Sequence, residues 1–127
     1  MGGHAMIVAG IGFRGAATLD DLQQALQLAA GTARIDALAT AATKADAPQI
    51  RALAKRLGLP LHAVDADRLA AQQTQTQSAR VAAQFGTGSL AEAAALAVAG
   101  AGAVLLAPRA ISGDGMATAA LAEGPDT

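Results

Sequence analysis

The sequence contains no cysteine, which excludes a disulfide framework, a thiolate nucleophile and any cysteine-ligated zinc or iron–sulfur centre. Aromatic residues are almost as scarce, Phe13 and Phe85 being the whole complement. Such a chain offers no stacking platform for bases. Charge of one sign is missing as well: 9 Lys and Arg stand against 10 Asp and Glu, a formal net charge of −1. A phosphate polymer therefore meets no basic surface, and nucleic acid is excluded as a partner. No apolar stretch reaches the roughly 18 uninterrupted residues of a membrane span; the longest candidate, 91–106, is broken by Gly100 and Gly102. With no basic segment ahead of a short apolar one either, no membrane association is expected and the expected compartment is the cytoplasm. The two histidines are His4 and His62, and there is no Gly-Lys-Ser/Thr. No Ser-His-Asp set, P-loop or metal-ligand cluster can be assembled from these residues, so neither a metal nor a cofactor is expected.

What is present is 127 residues, 53% hydrophobic and 15% charged, which suits one globular domain. Residues 1–5 are small and patternless and read as a frayed or added terminus, 6–122 as the domain, and 123–127 as a disordered tail. Met6–Gly12 is a β-branched run ending in glycines, the pattern of a buried strand entering a tight turn. Thr18 then caps a helix with Leu19, Leu22, Leu26 and Ala29 on one face and Asp20 and Asp21 in its first turn, stopped by Gly31. A second strand is expected over Ile35–Thr40, followed by a helix capped by Asp46, with Pro48 in its first turn and Gly58 past its end. Leu59–Val64 predicts a third strand, and Asp65 caps a short helix through Leu69, before an exposed polar connection at Gln72–Gln77. Ser78 can cap a helical turn over Val81 and Phe85, interrupted by Gly86-Thr87-Gly88. Ser89-Leu-Ala-Glu92 reads as a capping box opening an alanine-rich helix to Ala99. Ala103–Leu106 and Met116–Ala122 supply the last two strands.

Strands alternating with helices require crossover connections, so the expected fold is α/β: a three-layer α/β/α sandwich on a mainly parallel sheet of about five strands. Alanine is the commonest residue. Its small side chain lets helices lie close to the sheet but buries little apolar area, and so thin a core is compatible with a homo-oligomer.

The candidate site residues lie where chain turns are expected at strand ends. Gly10, Gly12 and Gly15 flank Arg14 between the first strand and the first helix, where glycines let a ligand approach backbone N–H groups. The spacing matches G-x-G-x-x-G literally. However, the second strand runs into Ala41 and Ala42, with no acidic residue placed for a ribose, which disfavours a dinucleotide. Thr40 and Lys44 follow the second strand, at the carboxyl end where open α/β sheets hold ligands; Lys44 reads equally as a solvated loop cation. Glu92 reads first as the helix-capping partner of Ser89 and second as an acid or base. His62 is a lone polar residue in a strand.

Four segments together resemble one family: Ala9-Gly-Ile-Gly-Phe-Arg-Gly15, Leu38-Ala-Thr40 with Lys44 beyond it, Leu57-Gly-Leu-Pro-Leu61, and Ser89-Leu-Ala-Glu-Ala-Ala-Ala-Leu96. They are similar, in order and spacing, to the CobE proteins of cobalamin biosynthesis and to the C-terminal domain of the CbiG proteins, and Arg109 with Ser112-Gly-Asp114-Gly-Met-Ala-Thr118 resembles the family's closing segment. The resemblance implies binding of a tetrapyrrole, a precorrin or corrin intermediate, as carrier or accessory factor, with other enzymes of that pathway as partners. The longer members are linked to opening a precorrin lactone during ring contraction, which implies a hydrolase alternative. In that alternative Glu92 is the general base for water and Arg14 or Lys44 stabilises the oxyanion. A third alternative is a protein-interaction module of the same pathway. The family turn usually carries Cys where Phe13 stands, and the longer members tend to carry an acidic residue after Thr40, where Ala41, Ala42 and Thr43 follow here; both departures speak against hydrolysis. A corrin precursor is a broad apolar ring fringed with carboxylates, and a few fixed cations suffice to receive them.

Overall fold

β1 (Ile7–Phe13) runs through the middle of a six-stranded sheet. The computed structural model describes residues 6–76, 87–100, 102–106 and 109–124. After β1 come α1 (Leu19–Ala30), β2 (Ala37–Ala41), a 3-10 turn at Ala42–Lys44, α2 (Pro48–Leu57), β3 (Leu61–Val64) and α3 (Ala66–Thr76). Then follow α4 (Thr87–Ala99), β4 (Val104–Leu105), β5 (Ala110–Ile111) and β6 (Ala117–Glu123). The strand order is β3-β2-β1-β6-β4, with β5 also paired to β6. β1, β2 and β3 are parallel, while β6 runs antiparallel to β1, β4 and β5. Five strands therefore share one sense and β6 opposes them. β4 and β5 act as two pieces of one interrupted edge strand: Leu105 pairs Ala122 and Ala110 pairs Ala119, so five steps along the edge match three along β6.

Both faces of the sheet are covered, giving the expected three layers. Successive strand residues point to opposite faces, and Ala9, Ile11 and Phe13 of β1 join Leu121 of β6 in a core with Leu22 and Leu26 of α1 and Ile50 and Leu53 of α2. On the other face Val8, Ala39 and Val64 pack against Ala94 and Ala97 of α4, with Leu69 of α3 at the margin. Toward β6, Ala95 and Leu96 of α4 meet Ala122.

The local signals at several helix ends act as read from the sequence. Thr18 and Asp21 form a reciprocal capping box on α1, Gly31 ends that helix, Gly58 is left-handed at the end of α2, and Asp65 accepts from the Arg68 amide at 2.9 Å. Other boundaries move. Asp46 does not cap α2; the Ala47 amide donates to the Lys44 carbonyl, so the chain is still turning there and the cap position falls on Ala47, ahead of Pro48. α3 continues to Thr76 across most of the segment read as a polar connection, because Gln is a good helix former and a polar run need not be irregular backbone. α4 begins at Thr87, with no acidic residue in its first turn, so Ser89 and Glu92 both lie inside the helix rather than at its start. β6 includes Glu123, paired with Ile7, and the Gly124 amide donates to the Met6 carbonyl, so these two residues are held by the sheet and do not belong to a disordered tail. β5 escaped the sequence reading because two residues cannot display an alternation. The expectations for 1–5, the helical turn of 78–85 and the tail at 125–127 lie outside the described residues. Among the described residues no helix is long and apolar enough to cross a membrane.

Candidate functional site

The parallel strands β1 and β2 deliver their following turns to one edge of the sheet, and the reversed β6 begins there, Ala117 opposite Phe13. The Arg14 amide donates to the Met116 carbonyl at 3.0 Å, joining the β1–α1 turn to the β5–β6 loop. The Ala17 amide closes the turn on the Arg14 carbonyl at 2.9 Å. Arg14 is exposed at its start. Beside it Lys44 is half-buried, its ammonium 5.2 Å from the centre of the Phe13 ring, a favourable placement of a cation over a π face. Among the described residues the ion pair is Arg34–Asp36, which sits at the opposite end of the sheet, next to the Ile7 amide. Neither Arg14 nor Lys44 meets a carboxylate there.

α4 comes to the same edge from the other face. Gly10 lies beneath Ala91, and Gly124, at the far end of the sheet, beneath Ala99. The helix thus runs against β1, and the further turn from Ala91 back to Thr87, about 6 Å, brings its N-terminus and Ser89 to the level of Gly12.

Not every candidate residue remains available to a ligand. Gly10 and Gly12 belong to β1 and not to the turn after it; Gly10 is required by the crossing of α4. Thr40 is fully buried, its hydroxyl donating to the Ile11 carbonyl at 2.8 Å, a bond that ties β2 to β1. The Ser112 hydroxyl donates to Asp114 Oδ1 at 2.7 Å and accepts from the Ala117 amide at 3.1 Å. Asp114 also accepts from the Met116 amide at 3.0 Å. That amide first, and the Ser112 hydroxyl second, hold the Asp114 carboxyl below its ordinary value of 3.8. Ser112 and Asp114 therefore brace the loop that receives the Arg14 amide. Gly15 has no atom within 4 Å of where a Cβ would stand, so the fold leaves open space beside it.

Arg109 and Glu92 do not join the two cations. Arg109 precedes β5, whose Ala110 pairs Ala119 opposite Ile11; it sits at the lateral margin of the sheet, on the order of 15 Å from Arg14 by strand spacings. Glu92 is half-buried in the second turn of α4. By helical periodicity it shares the flank of Ala95 and Leu96, which faces β6 and β4. Lys44 stands over Phe13, which belongs to the face covered by α1 and α2. The sheet separates the two side chains.

Gln49 was not singled out in the sequence, where it is one polar residue in the first turn of α2. Its Nε2 donates to the carbonyls of Ala17 at 2.9 Å and Gly15 at 3.3 Å. No local pattern announces a bond between residues so far apart in the chain.

The family model for the cobalamin synthesis G C-terminus matches residues 7–122. The chain belongs to that family. Its function lies in cobalamin biosynthesis. The family member whose crystal structure is described as CobE, a protein from the cobalamin (vitamin B12) biosynthetic pathway, is similar over 100% of this chain and 96% of its own, at 31% identity and a TM-score of 0.81. The cobalamin biosynthesis protein chiG from Agrobacterium tumefaciens str. C58 is 41% identical over 95% of this chain and 100% of its own, with a TM-score of 0.75. A cobalamin biosynthesis protein G homolog from Sulfolobus solfataricus shares the fold at 14% identity and a TM-score of 0.68, over 94% of this chain and 36% of its own. No curated protein sequence matches the chain significantly.

Proposed function

We propose that this family member binds a precorrin or corrin intermediate at the carboxyl edge of its sheet, as a carrier or accessory factor, with Arg14 and Lys44 receiving ring carboxylates. The observation that carries the reading is that the turns bearing the two cations lie at one end of the sheet, with Lys44 over the ring of Phe13, the residue before Arg14, and Gly15 uncrowded after it. A charge-assisted hydrogen bond to a carboxylate is the strong kind of polar contact, so two suffice to orient a polyanionic ring whose apolar body rests on the edge. Ser89, within the first turn of α4, lies at the same level of the sheet. The cytoplasm and other enzymes of the pathway are the setting that goes with this role.

The separation of Glu92 from Lys44 favours binding over lactone hydrolysis, because a general base and an oxyanion donor must both come within about 3 Å of the reacting atoms. Titration with dicyanocobyrinic acid, a corrin with free carboxylates, tests the reading through its visible absorbance. Saturable binding is expected, lost with the methyl ester of the same corrin. Equal binding of acid and ester overturns the assignment of cations to carboxylates, and no binding of either overturns the site.

A further inference from the structure

We propose that Gln49 is a positioning residue that sets Arg14 relative to Lys44; the inference rests on the binding reading above for its functional meaning, though not for its geometry. The two cations lie on separate turns, and Gln49 is the side chain that bridges those turns. From Lys44 onward the chain is a continuous series of hydrogen-bonded turns, the Ala47 amide on the Lys44 carbonyl at 3.0 Å and the Arg51 amide on the Ala47 carbonyl at 3.2 Å. Gln49 is thus held rigidly with respect to Lys44. Its Nε2 reaches across to the carbonyls of Gly15 and Ala17, both within the turn that runs from Arg14 to Ala17. On the other side, the Arg14 amide is fixed on Met116. The turn is therefore gripped from β6 and from α2, and the grip from α2, together with the contact of Lys44 with the Phe13 ring, relates the turn to Lys44.

Nothing else in the described structure asks for this strut. Gly15 makes no close contact at its Cβ position and has no left-handed backbone to enforce the turn. Residues 14–16 are exposed, and packing holds the turn only at its end, where Ala17 is buried in the core. Fixing Arg14 before the ligand arrives removes the ordering cost that a loose loop would charge against affinity. It also sets the spacing at which two carboxylates are accepted, so the ligand this device suits carries two carboxylates on one side of its ring.

The first measurement needs no ligand. In Gln49→Leu, backbone order parameters of residues 14–17 should fall from about 0.85 to below about 0.6, with those of β1 and β2 unchanged. Gln49→Glu, which keeps the shape but cannot donate, should do the same. Unchanged order parameters in both variants overturn the inference whatever the ligand does. The second measurement is a double-mutant cycle on dicyanocobyrinic acid affinity. Gln49→Leu should weaken binding by about two- to tenfold and have no further effect in the Arg14→Ala background. Its effect should also shrink in the Lys44→Ala background, where the spacing it sets no longer has a second cation. Gln49→Leu effects that persist undiminished without the Arg14 side chain overturn the positioning role. If Arg14→Ala and Lys44→Ala both bind like the parent, it is the binding reading that fails.

Discussion

Gly10 sits so close beneath α4 that a methyl group built on it would come 2.0 Å from the Ala91 carbonyl oxygen and 2.8 Å from the Ala95 amide nitrogen. Both neighbours are helix backbone, which cannot step aside as a flexible side chain can. At the other end of the helix a methyl on Gly124 would meet the Ala99 carbonyl oxygen at 2.6 Å. These two notches set the height of α4 above the sheet and bring its N-terminus to the candidate site.

Gly10→Ala should therefore destabilise the fold by about 3 kcal/mol or more, whereas Gly15→Ala should leave it unchanged or raise stability by up to about 1 kcal/mol through the unfolded chain. Denaturant melts measure both. Gly15→Ala should still weaken corrin binding, because its methyl enters the open side of the turn; full affinity in that variant removes Gly15 from the site.

Arg14→Ala and Lys44→Ala should each shift stability by no more than about 1 kcal/mol, since an exposed cation and a cation over a ring contribute little. Loss of a charge-assisted bond, about 1.5–3 kcal/mol, should weaken corrin affinity by about 10- to 100-fold for each. Titration alongside thermal melts separates the two effects, and parental affinity in both variants overturns the site.

Asp114 links the β5–β6 loop to pH. Its carboxyl is held below 3.8 in the folded protein by the Met116 amide and the Ser112 hydroxyl. A lowered folded value means that the ionised form is favoured by folding. Its contribution is complete above the unfolded value and is lost as pH falls below 3.8 through the folded one. The protection of the Met116 amide against exchange, taken relative to the intrinsic rate at each pH, should fall in that window in the parent. Asp114→Asn should abolish the pH step, and a step that survives in the variant assigns the dependence to another group.

Glu92→Gln asks whether the protein turns its ligand over. Glu92 is half-buried in the second turn of α4, so the substitution should change stability by less than about 0.5 kcal/mol, as an ordinary substitution away from special features does, and corrin affinity should persist. A general base would instead show a loss of about 10²–10⁴-fold in lactone opening with affinity retained. That outcome, measured on a lactone-bearing precorrin, would make the protein a hydrolase.

The sequence by itself determined those features whose causes lie within a turn or two of chain. The caps at Thr18 and Asp65, the stops at Gly31 and Gly58 and the alternation of strand with helix all follow from local hydrogen bonding and backbone freedom, and the motifs around Arg14, Thr40 and Ser89 carried the family. Tertiary structure alone decided where those segments meet. The run 117–123 is apolar on both faces and carries no mark of direction, so only its pairing made β6 antiparallel between β1 and β4. By pattern Gly10 is a turn residue, yet α4 crosses directly over it; by position Thr40 is open to a ligand, yet its hydroxyl is committed to the Ile11 carbonyl. Arg109 and Glu92 moved away from the two cations, and Gln49 moved in. Pattern and propensity act between neighbours in sequence. Strand order, register and the reach of a single amide side chain are settled by which distant surfaces fill each other's space.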